Sequence, residues 1–439
     1  MSFLSQLGLD RRELRAWAMY DWANSVFMTI GLLVFPIYFA DVAAAGLPSA
    51  TASARFAAAT TVSMLIVALL SPFLGAVADF AGVKKKMLAA CLLLGAVTTG
   101  GLYFVGRGDW KLGALLFILG NIGVTSSIVF YESLLPHIAR KEEVDRVSSA
   151  GYALGYVGGG LLLAICLLMI QRPAWFGIPN GEVAMRLSFL AAALWWLLFS
   201  IPLFRRVPEP PVPPELRRRP GQGIVFLSVS RLWQTLREVK QYKHTLLFLI
   251  AFFIYNDGVG TIIRMASIYG REIGIERGTL IGSLLLVQFV GIPFSFLFGM
   301  LAGRIGAKRA IFVALAVYFV ISVFGYSMKT SRDFLVLAIL VGTVQGGSQA
   351  LSRSLFATMI PKHKSSEFFA FFSVFEKFAG ILGPAVFGLV ISATGSSRGA
   401  ILSLVLFFFV GGVLLALVNV EKGQQAAREG EARAAGVTG

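Results

Sequence analysis

The chain has 439 residues, of which 56% are hydrophobic and 14% charged, and its mean hydropathy is +0.76. A water-soluble domain carries about a quarter charged residues and could not bury this much apolar side chain, so the composition excludes a soluble protein and predicts an integral membrane protein. The formal net charge of +16 would indicate a nucleic-acid partner only if the basic residues formed one clustered face, which they do not.

Twelve apolar runs of membrane-spanning length follow one another along the chain. A spanning helix needs about 20 apolar residues, because the hydrocarbon layer is about 30 Å thick and each helical residue rises about 1.5 Å. Backbone groups in lipid must be hydrogen-bonded within their own segment, so the runs are predicted to be helices, and alternating barrel strands are absent. In chain order the predicted helices are 17–40, 56–78, 87–106, 112–135, 147–170, 185–204, 245–269, 280–302, 310–328, 334–360, 368–393 and 401–420.

Lysine and arginine cluster in alternate connections between these helices, while the other connections hold only isolated basic residues. The clusters are Arg11, Arg12 and Arg15, then Lys84, Lys85 and Lys86, then Arg140, Lys141 and Arg146, then Arg304, Lys308 and Arg309, and finally Lys362 and Lys364. Positive charge is retained on the cytoplasmic side of a membrane. The pattern therefore predicts a protein of the bacterial inner (plasma) membrane with both termini in the cytoplasm, in contact with the lipid bilayer and not with nucleic acid.

The interval between the sixth and seventh helices is rich in proline and arginine, which divides the chain into two halves. We predict an N-terminal six-helix bundle over 1–205 and a C-terminal six-helix bundle over 244–421. Between them, 206–243 is predicted to be an extended cytoplasmic linker that contains an amphipathic helix. The tail over 422–439 is predicted to be a disordered cytoplasmic segment.

The two halves repeat each other in sequence. Residues 75–85 and 299–309 both carry glycines seven positions apart, followed by a basic pair, and the fourth and tenth helices both end with Ser-Leu at 133–134 and 354–355. A parallel repeat of six plus six helices is the architecture of major facilitator transporters. The predicted fold class is therefore an all-α integral membrane protein with twelve transmembrane helices in two pseudo-symmetric six-helix bundles.

Polar residues recur on every third helix. They are Asp21, Asn24 and Ser25 on helix one, Asn121, Thr125 and Glu132 on helix four, Asn256, Asp257, Thr261 and Arg264 on helix seven, and Gln345, Gln349 and Arg353 on helix ten. Spacings of four residues place each set in one stripe on its helix. A charge at the bilayer centre costs several kcal/mol, so these stripes are predicted to face a water-filled central path, where they would bind substrate or a coupling ion. Asp21 and Glu132 lie nearer the cytoplasmic ends, and a role in a gate or a structural salt bridge is equally open for them.

Helix eleven adds Glu376 and Lys377 in mid-span. Adjacent helical positions point about 100° apart, so these two are not simply each other's salt bridge. We expect Arg353 to pair with Glu376 in the absence of substrate. Arg353 or Lys377 could then take a carboxylate, and Asp257 or Glu376 an ammonium. A buried carboxylate would equally serve as a proton carrier, and the sequence does not separate these uses.

Further residues resemble one family of transporters. Residues 75–85 are similar to a loop motif of the major facilitator superfamily, in which an acid and basic residues latch the inner gate, although Phe80 and Val83 depart from it. The segments that resemble the "unknown major facilitator" family, which includes autophagy-related vacuolar amino-acid effluxers, are 20–25, 255–258, 346–356, 367–369 and 382–384. The resemblance covers nearly the whole chain and implies a transporter with amino acids as candidate cargo.

We therefore expect a secondary-active transporter that moves a small polar solute by alternating access, with proton coupling open. The predicted gating residues are Asp79, Lys84 and Lys85 at the inner end and Arg264 at the outer end. No enzyme activity, cofactor or metal ion is predicted, since the histidines stand singly and the cysteines lie in apolar runs. Two alternatives remain open, namely a membrane-embedded enzyme and a nontransporting sensor built on a transporter scaffold.

Overall fold

The computed structural model describes residues 3–212, 239–272, 274–275, 277–379, 382–394 and 397–435. Most of the predicted linker, including its amphipathic segment, lies outside these ranges, and so does the side chain of Lys377. The helices are α1 (Arg12–Ala43), α2 (Ser49–Ala81), α3 (Lys84–Gly101), α4 (Trp110–Ile138), α5 (Val144–Gln171), α6 (Gly181–Arg206), α7 (Lys243–Glu272), α8 (Arg277–Ile305), α9 (Ala307–Ser327), α10 (Ser331–Thr358), α11a (Ser365–Phe378), α11b (Leu382–Thr394), α12 (Arg398–Leu417) and α13 (Val420–Ala434). Short helical turns lie at Phe3–Gln6, Leu102–Phe104, Pro173–Phe176, Val239–Tyr242 and Lys362–Lys364.

Eleven helices within the described ranges are long and apolar enough to cross a membrane. The predicted eleventh span is present as two segments, α11a and α11b, each too short to cross alone. Ala379 ends α11a with a ψ of 85°, which is outside the helical region. The twelve predicted spans are therefore eleven long helices and one broken helix.

Helix α1 also departs from regular α-helical geometry. It is π-helical over Phe27–Val34 and again over Phe39–Ala43, on either side of a short α-helical turn that contains Pro36. Proline lacks an N–H group, so the regular bonding pattern cannot continue through it. Wide π turns within α-helices are frequent at functional sites.

The repeated glycine motif has the same backbone conformation in both halves. Gly82 ends α2 with a φ of +64°, and Gly306 lies between α8 and α9 with a φ of +86°. Only glycine adopts a positive φ readily, because it has no Cβ to clash with the backbone. Each motif thus makes a tight turn that sends the chain directly into the next helix.

The packing of the helices repeats as well. In the first half α1 packs on α6, α3 on α4 and α2 on α4. In the second half α7 packs on α12, α9 on α10 and α8 on α10. Large apolar side chains remain exposed on the outside of the bundle, for example Leu69 and Leu389, where lipid would cover them.

The tail differs from its prediction. Residues Val420–Ala434 form helix α13 rather than a disordered segment, and 436–439 lie outside the described part. Asn419 caps its first turn, and Glu431 accepts a hydrogen bond from the Lys362 amide at 2.8 Å. Gly423 and Gly430 allow α13 to lie close to Met359 and Tyr242. The composition of the tail indicated disorder. The helix forms nevertheless, because contacts with residues distant in the sequence stabilise it.

Candidate functional site

The two halves meet at one face of the bundle, which carries the start of α1 and the end of α12 and is called the terminal face below. Two crossings related by the internal repeat join the halves there: α2 lies against α11a, and α8 lies against α5. A Cβ on Gly75 would lie 2.6 Å from the Ser366 carbonyl oxygen, and one on Gly299 would lie 2.7 Å from the Ser149 Cβ. The equivalent glycines of the two motifs therefore allow each close approach.

The first crossing contains the predicted gate residues Asp79 and Lys84. The Asp79 carboxylate forms a 2.5 Å ion pair with Lys84 Nζ and accepts a hydrogen bond from the Glu367 amide at 2.9 Å. That amide belongs to the first turn of α11a, where unpaired N–H groups and the helix dipole favour an anion. Lys84 Nζ also donates to Ser365 Oγ at 2.5 Å. The acid and the lysine of the first half thus bind the beginning of α11a.

Serine residues extend this contact. Ser365 Oγ donates to the Ser133 carbonyl at 3.0 Å, Ser366 Oγ lies 3.0 Å from Ser133 Oγ, and His137 Nε2 lies 3.2 Å from Ser365 Oγ. The second crossing has the equivalent arrangement, since Ser354 Oγ on α10 donates to Asp145 Oδ1 at the start of α5 at 2.5 Å. The Ser-Leu repeat of the sequence therefore places one serine at each crossing.

Arg353 extends from α10 into the N-terminal half and is only 2% exposed. Its Nη2 atom lies 3.1 Å from Asp21 Oδ2, and its Nη1 atom lies 3.8 Å from Glu132 Oε1. The guanidinium also donates to Ser148 Oγ and to the Ser148 carbonyl, both at 2.9 Å. One side chain of the second half is therefore bound by α1, α4 and α5 of the first half.

Aromatic rings complete the surroundings of Arg353. The guanidinium carbon lies 4.5 Å from the Tyr152 ring centre, 4.9 Å from that of Trp17 and 5.8 Å from that of Tyr131. Trp17 and Tyr131 stack on each other, and the Trp17 indole donates to the Tyr131 carbonyl at 3.0 Å. A cation is attracted to aromatic faces, most strongly where water is excluded. We call Arg353, Asp21, Glu132, Ser148 and these three rings the arginine cluster.

Two carboxylates, those of Asp21 and Glu132, contact one guanidinium in the arginine cluster. Removing one partner from a buried ion pair costs about 3–5 kcal/mol, because the remaining charge has neither water nor a counter-ion. The cluster can therefore hold the halves together. For Asp21 and Glu132, the sequence left two roles open, namely substrate ligand and salt-bridge partner. Both roles are compatible with their position in the arginine cluster.

The expected pairing of Arg353 with Glu376 is not what the structure shows. Arg353 lies about 8 Å along α10 from its end at the terminal face, whereas Glu376 lies about 16 Å into α11a, at the helical rise of 1.5 Å per residue. The two side chains are at different depths, and Arg353 contacts Asp21 and Glu132 instead. Glu376 is half-buried, and none of the described side chains forms an ion pair with it.

The remaining predicted residues fall into three groups. Asn121 donates to Ser63 Oγ at 3.1 Å within the first half, and Lys85 donates to the Phe204 and Val207 carbonyls at the end of α6, so both make contacts inside one bundle. Asn24 and Asn256 are buried, and Gln345 and Gln349 are half-buried on α10. Asp257 and Arg264 face the break between α11a and α11b, away from the arginine cluster.

Sequence reasoning missed several contributors to the site. Ser148, Tyr152 and the two rings beside Arg353 were not selected, although Trp17 stands one helical turn before Asp21 and Tyr131 is adjacent to Glu132. His137 was interpreted as an isolated residue, but it lies 3.4 Å from Lys84 Nζ at the first crossing. Polar residues on every third helix were the signal used, and neither aromatic rings nor residues of α5 belong to that pattern.

Comparison with known proteins places the chain among membrane transporters. A family profile described as "Vacuole effluxer Atg22 like" matches residues 40–428. The uncharacterized MFS-type transporter YxiO of Bacillus subtilis is 37% identical over 413 residues, which cover 93% of this chain and 95% of that protein. Autophagy-related protein 22-2 of Neosartorya fischeri is 24% identical, over 85% of this chain and 75% of that protein.

Solved structures are similar in fold. The major facilitator superfamily transporter FucP in its outward conformation aligns with a TM-score of 0.71 at 13% identity and covers 93% of this chain and 100% of its own. The proton:xylose symporter XylE aligns with a TM-score of 0.67 at 15% identity, over 96% of this chain and 97% of its own. These similarities show the major facilitator fold, with its two six-helix halves.

Proposed function

Since the chain belongs to the Atg22-like effluxer family of major facilitator transporters, we propose that it is a secondary-active carrier that moves a small polar solute by alternating access. The observation that carries this proposal is the burial of Arg353 of one half among Asp21, Glu132 and Ser148 of the other. A carrier must close each side in turn, so its halves need contacts that can form and break. We take the terminal face to be the cytoplasmic face, as the basic connections predict.

The contacts at the terminal face support rocking of the halves. The contacts across this interface include ion pairs and serine and amide hydrogen bonds, each of which water can replace once the halves separate. An apolar interface of the same size would resist opening, because its exposure to water is unfavourable. Asp79 and Lys84 at one crossing, and Asp145 with Ser354 at the other, would therefore act as an inner gate that is closed in this structure.

Amino acids suit the chemistry of the arginine cluster. A substrate carboxylate would compete with Asp21 for the planar donors of Arg353, and its ammonium would find the carboxylates thus released. The family resemblance implies the same class of cargo. Proton coupling is proposed as well, since buried carboxylates such as Asp21 and Glu132 can take up a proton.

The test is uptake of labelled amino acids into proteoliposomes, with and without an imposed proton gradient. We expect saturable uptake that Arg353→Ala abolishes and Arg332→Ala leaves unchanged. Arg332 is the matched control because it is an exposed arginine at the other end of the same helix. Equal uptake by both variants would exclude the arginine cluster as the site. A purified protein that converts a compound without moving it, or that binds it without transport, would favour the enzyme or the sensor instead.

A further inference from the structure

At the break in helix eleven, one backbone carbonyl and one backbone N–H of the described residues are bound by charged side chains of α7. In a continuous helix the Gly383 N–H would donate to the Ala379 carbonyl. Here the Gly383 N–H donates to Asp257 Oδ2 at 2.9 Å, and the Ala379 carbonyl accepts from Arg264 Nη2 at 3.3 Å. One missing backbone hydrogen bond has thus been replaced by an acid and a base that stand two turns apart on α7.

The signs of these charges match the helix ends that they bind. The first turn of α11b carries a partial positive charge and faces the Asp257 carboxylate, and the last turn of α11a carries a partial negative charge and faces the Arg264 guanidinium. The break is therefore a stabilised feature of the fold rather than a frayed end. It also makes the position of α11b depend on the charge of Asp257.

Asp257 retains an unused oxygen. The residue is fully buried, and within the described part of the chain neither its Oδ1 atom nor the buried Thr261 Oγ1 has a hydrogen-bond partner. Both atoms point at Gly383, where an added Cβ would collide with Thr261 Oγ1 and lie 2.9 Å from Asp257 Oδ1. The Thr261 hydroxyl can donate to the ionised Asp257 carboxylate or accept from the protonated acid, so this buried pair can form a hydrogen bond in either protonation state.

Few other charges reach Asp257. On its own helix the charged neighbour is Arg264, which the carboxylate attracts. Helix α11a carries the half-buried Glu376 and also Lys377, whose side chain lies outside the described part. Helix α12 places the rings of Phe407 and Phe408 against α7 at Gly258. Within the described part of the chain, this buried carboxylate interacts with the Arg264 cation and with the Gly383 N–H, and gain or loss of a proton strongly changes both interactions.

We propose that Asp257 is the site that binds the coupling proton, and that its protonation loosens α11b from α7. This inference rests on the proposed transport function. A proton from water at the face opposite the terminal face forms an O–H bond at Oδ1, and that hydroxyl donates to Thr261 Oγ1. Oδ2 becomes a neutral carbonyl oxygen and holds the Gly383 N–H less strongly, since charge-assisted hydrogen bonds are about twice as strong as neutral ones. Release of the proton to water at the terminal face restores the carboxylate and its stronger hydrogen bond to the Gly383 N–H of α11b.

Substitutions distinguish a proton-binding role of Asp257 from a role that only stabilises the break in helix eleven. Asp257→Asn imitates the protonated acid, because its amide still accepts from Gly383 and donates to Thr261, but it cannot titrate. Thr261→Val removes the acceptor with little change of shape, and Thr261→Ser keeps it. Glu376→Gln is the matched control, since it removes another carboxylate of the membrane interior, a half-buried one on α11a.

The first experiment is infrared difference spectroscopy on the full-length protein in lipid while the pH is lowered. We expect a protonated-carboxyl band that is lost in Asp257→Asn, shifted in Thr261→Val, unshifted in Thr261→Ser and retained in Glu376→Gln. A band that persists in Asp257→Asn, or the absence of any such band in the wild type, would overturn the proposal. This measurement needs no substrate, so its result stands even if no transport is found.

The second experiment compares two modes of transport in proteoliposomes. Asp257→Asn should lose accumulation driven by a proton gradient and keep the exchange of internal for external substrate, because exchange requires no net movement of protons. Retained gradient-driven accumulation would overturn the proton site. If the wild type moves no compound in either mode, the proposed function fails, and the infrared result alone then decides whether Asp257 binds a proton.

Discussion

At the scale of single residues, Arg353 determines how the two halves meet. It is the second half's charged side chain in the arginine cluster, and it contacts an acid on α1, an acid on α4 and both a hydroxyl and a carbonyl on α5. Lysine could not replace it, because a single ammonium lacks the planar set of donors that serves several acceptors at once. Closure of the terminal face should depend on this residue more than on any exposed ion pair.

Arg353→Ala should open the terminal face. Loss of the guanidinium removes the cation that Asp21 and Glu132 both contact and weakens the closed arrangement by about 3–5 kcal/mol. The measurement is maleimide labelling of Ala350→Cys, which is fully buried beside Ser148, after Cys91 and Cys166 have been replaced. We expect faster labelling with Arg353→Ala and an unchanged rate with Arg332→Ala. An unchanged rate in both variants would show that other contacts hold this face closed.

At the scale of helices, the repeated glycine motif accounts for both crossings. Its first glycine lets α2 approach α11a, and its equivalent lets α8 approach α5. The second glycine of each motif turns the chain at positive φ. The two halves differ in one respect, since Asp79 binds the start of α11a whereas Gly303 stands at the equivalent position of the second motif. The second crossing relies on Ser354 and Asp145 instead.

Gly299→Ala should separate α8 from α5. The new methyl group would lie 2.7 Å from the Ser149 Cβ, a separation that forces the helices apart. The measurement is the distance between spin labels at Lys141 and Arg304, two exposed positions at the terminal-face ends of these helices. The control is Gly282→Ala on the same helix, where no atom lies within 4 Å of the added methyl group. Identical distance distributions in both variants would argue against close packing at this crossing.

At the scale of the whole molecule, the chain is a pair of six-helix bundles that are closed toward each other at the terminal face. FucP, which aligns with a TM-score of 0.71, was solved in an outward conformation. Helix α13 lies at that face too, where it contacts the connection before α11a through Glu431 and Lys362.

Reporter fusions test the orientation. A fluorescent protein inserted at Pro211 or joined after Ala435 should be active in the cytoplasm, because the basic connections lie on the same side as both points. A reporter inserted at Gly108, between α3 and α4, should report the opposite side. Opposite locations for the first two fusions would exclude an even number of crossings between the linker and the tail, and with it the proposed topology.

The sequence by itself determined the features that depend on local pattern. Apolar runs of spanning length predict helices wherever lipid is the solvent, and a repeated glycine motif predicts repeated turns, so the major facilitator fold followed from periodicity and repetition. Tertiary structure decided which side chains interact with each other. Arg353 is separated from Asp21 by 332 positions, and nothing local indicates that they meet. The break in helix eleven likewise depends on Asp257 and Arg264, which are far away in the sequence, because a backbone hydrogen bond can be lost only where other groups replace it. The helical tail depends on contacts with distant residues such as Met359, because a short helix is not stable by itself.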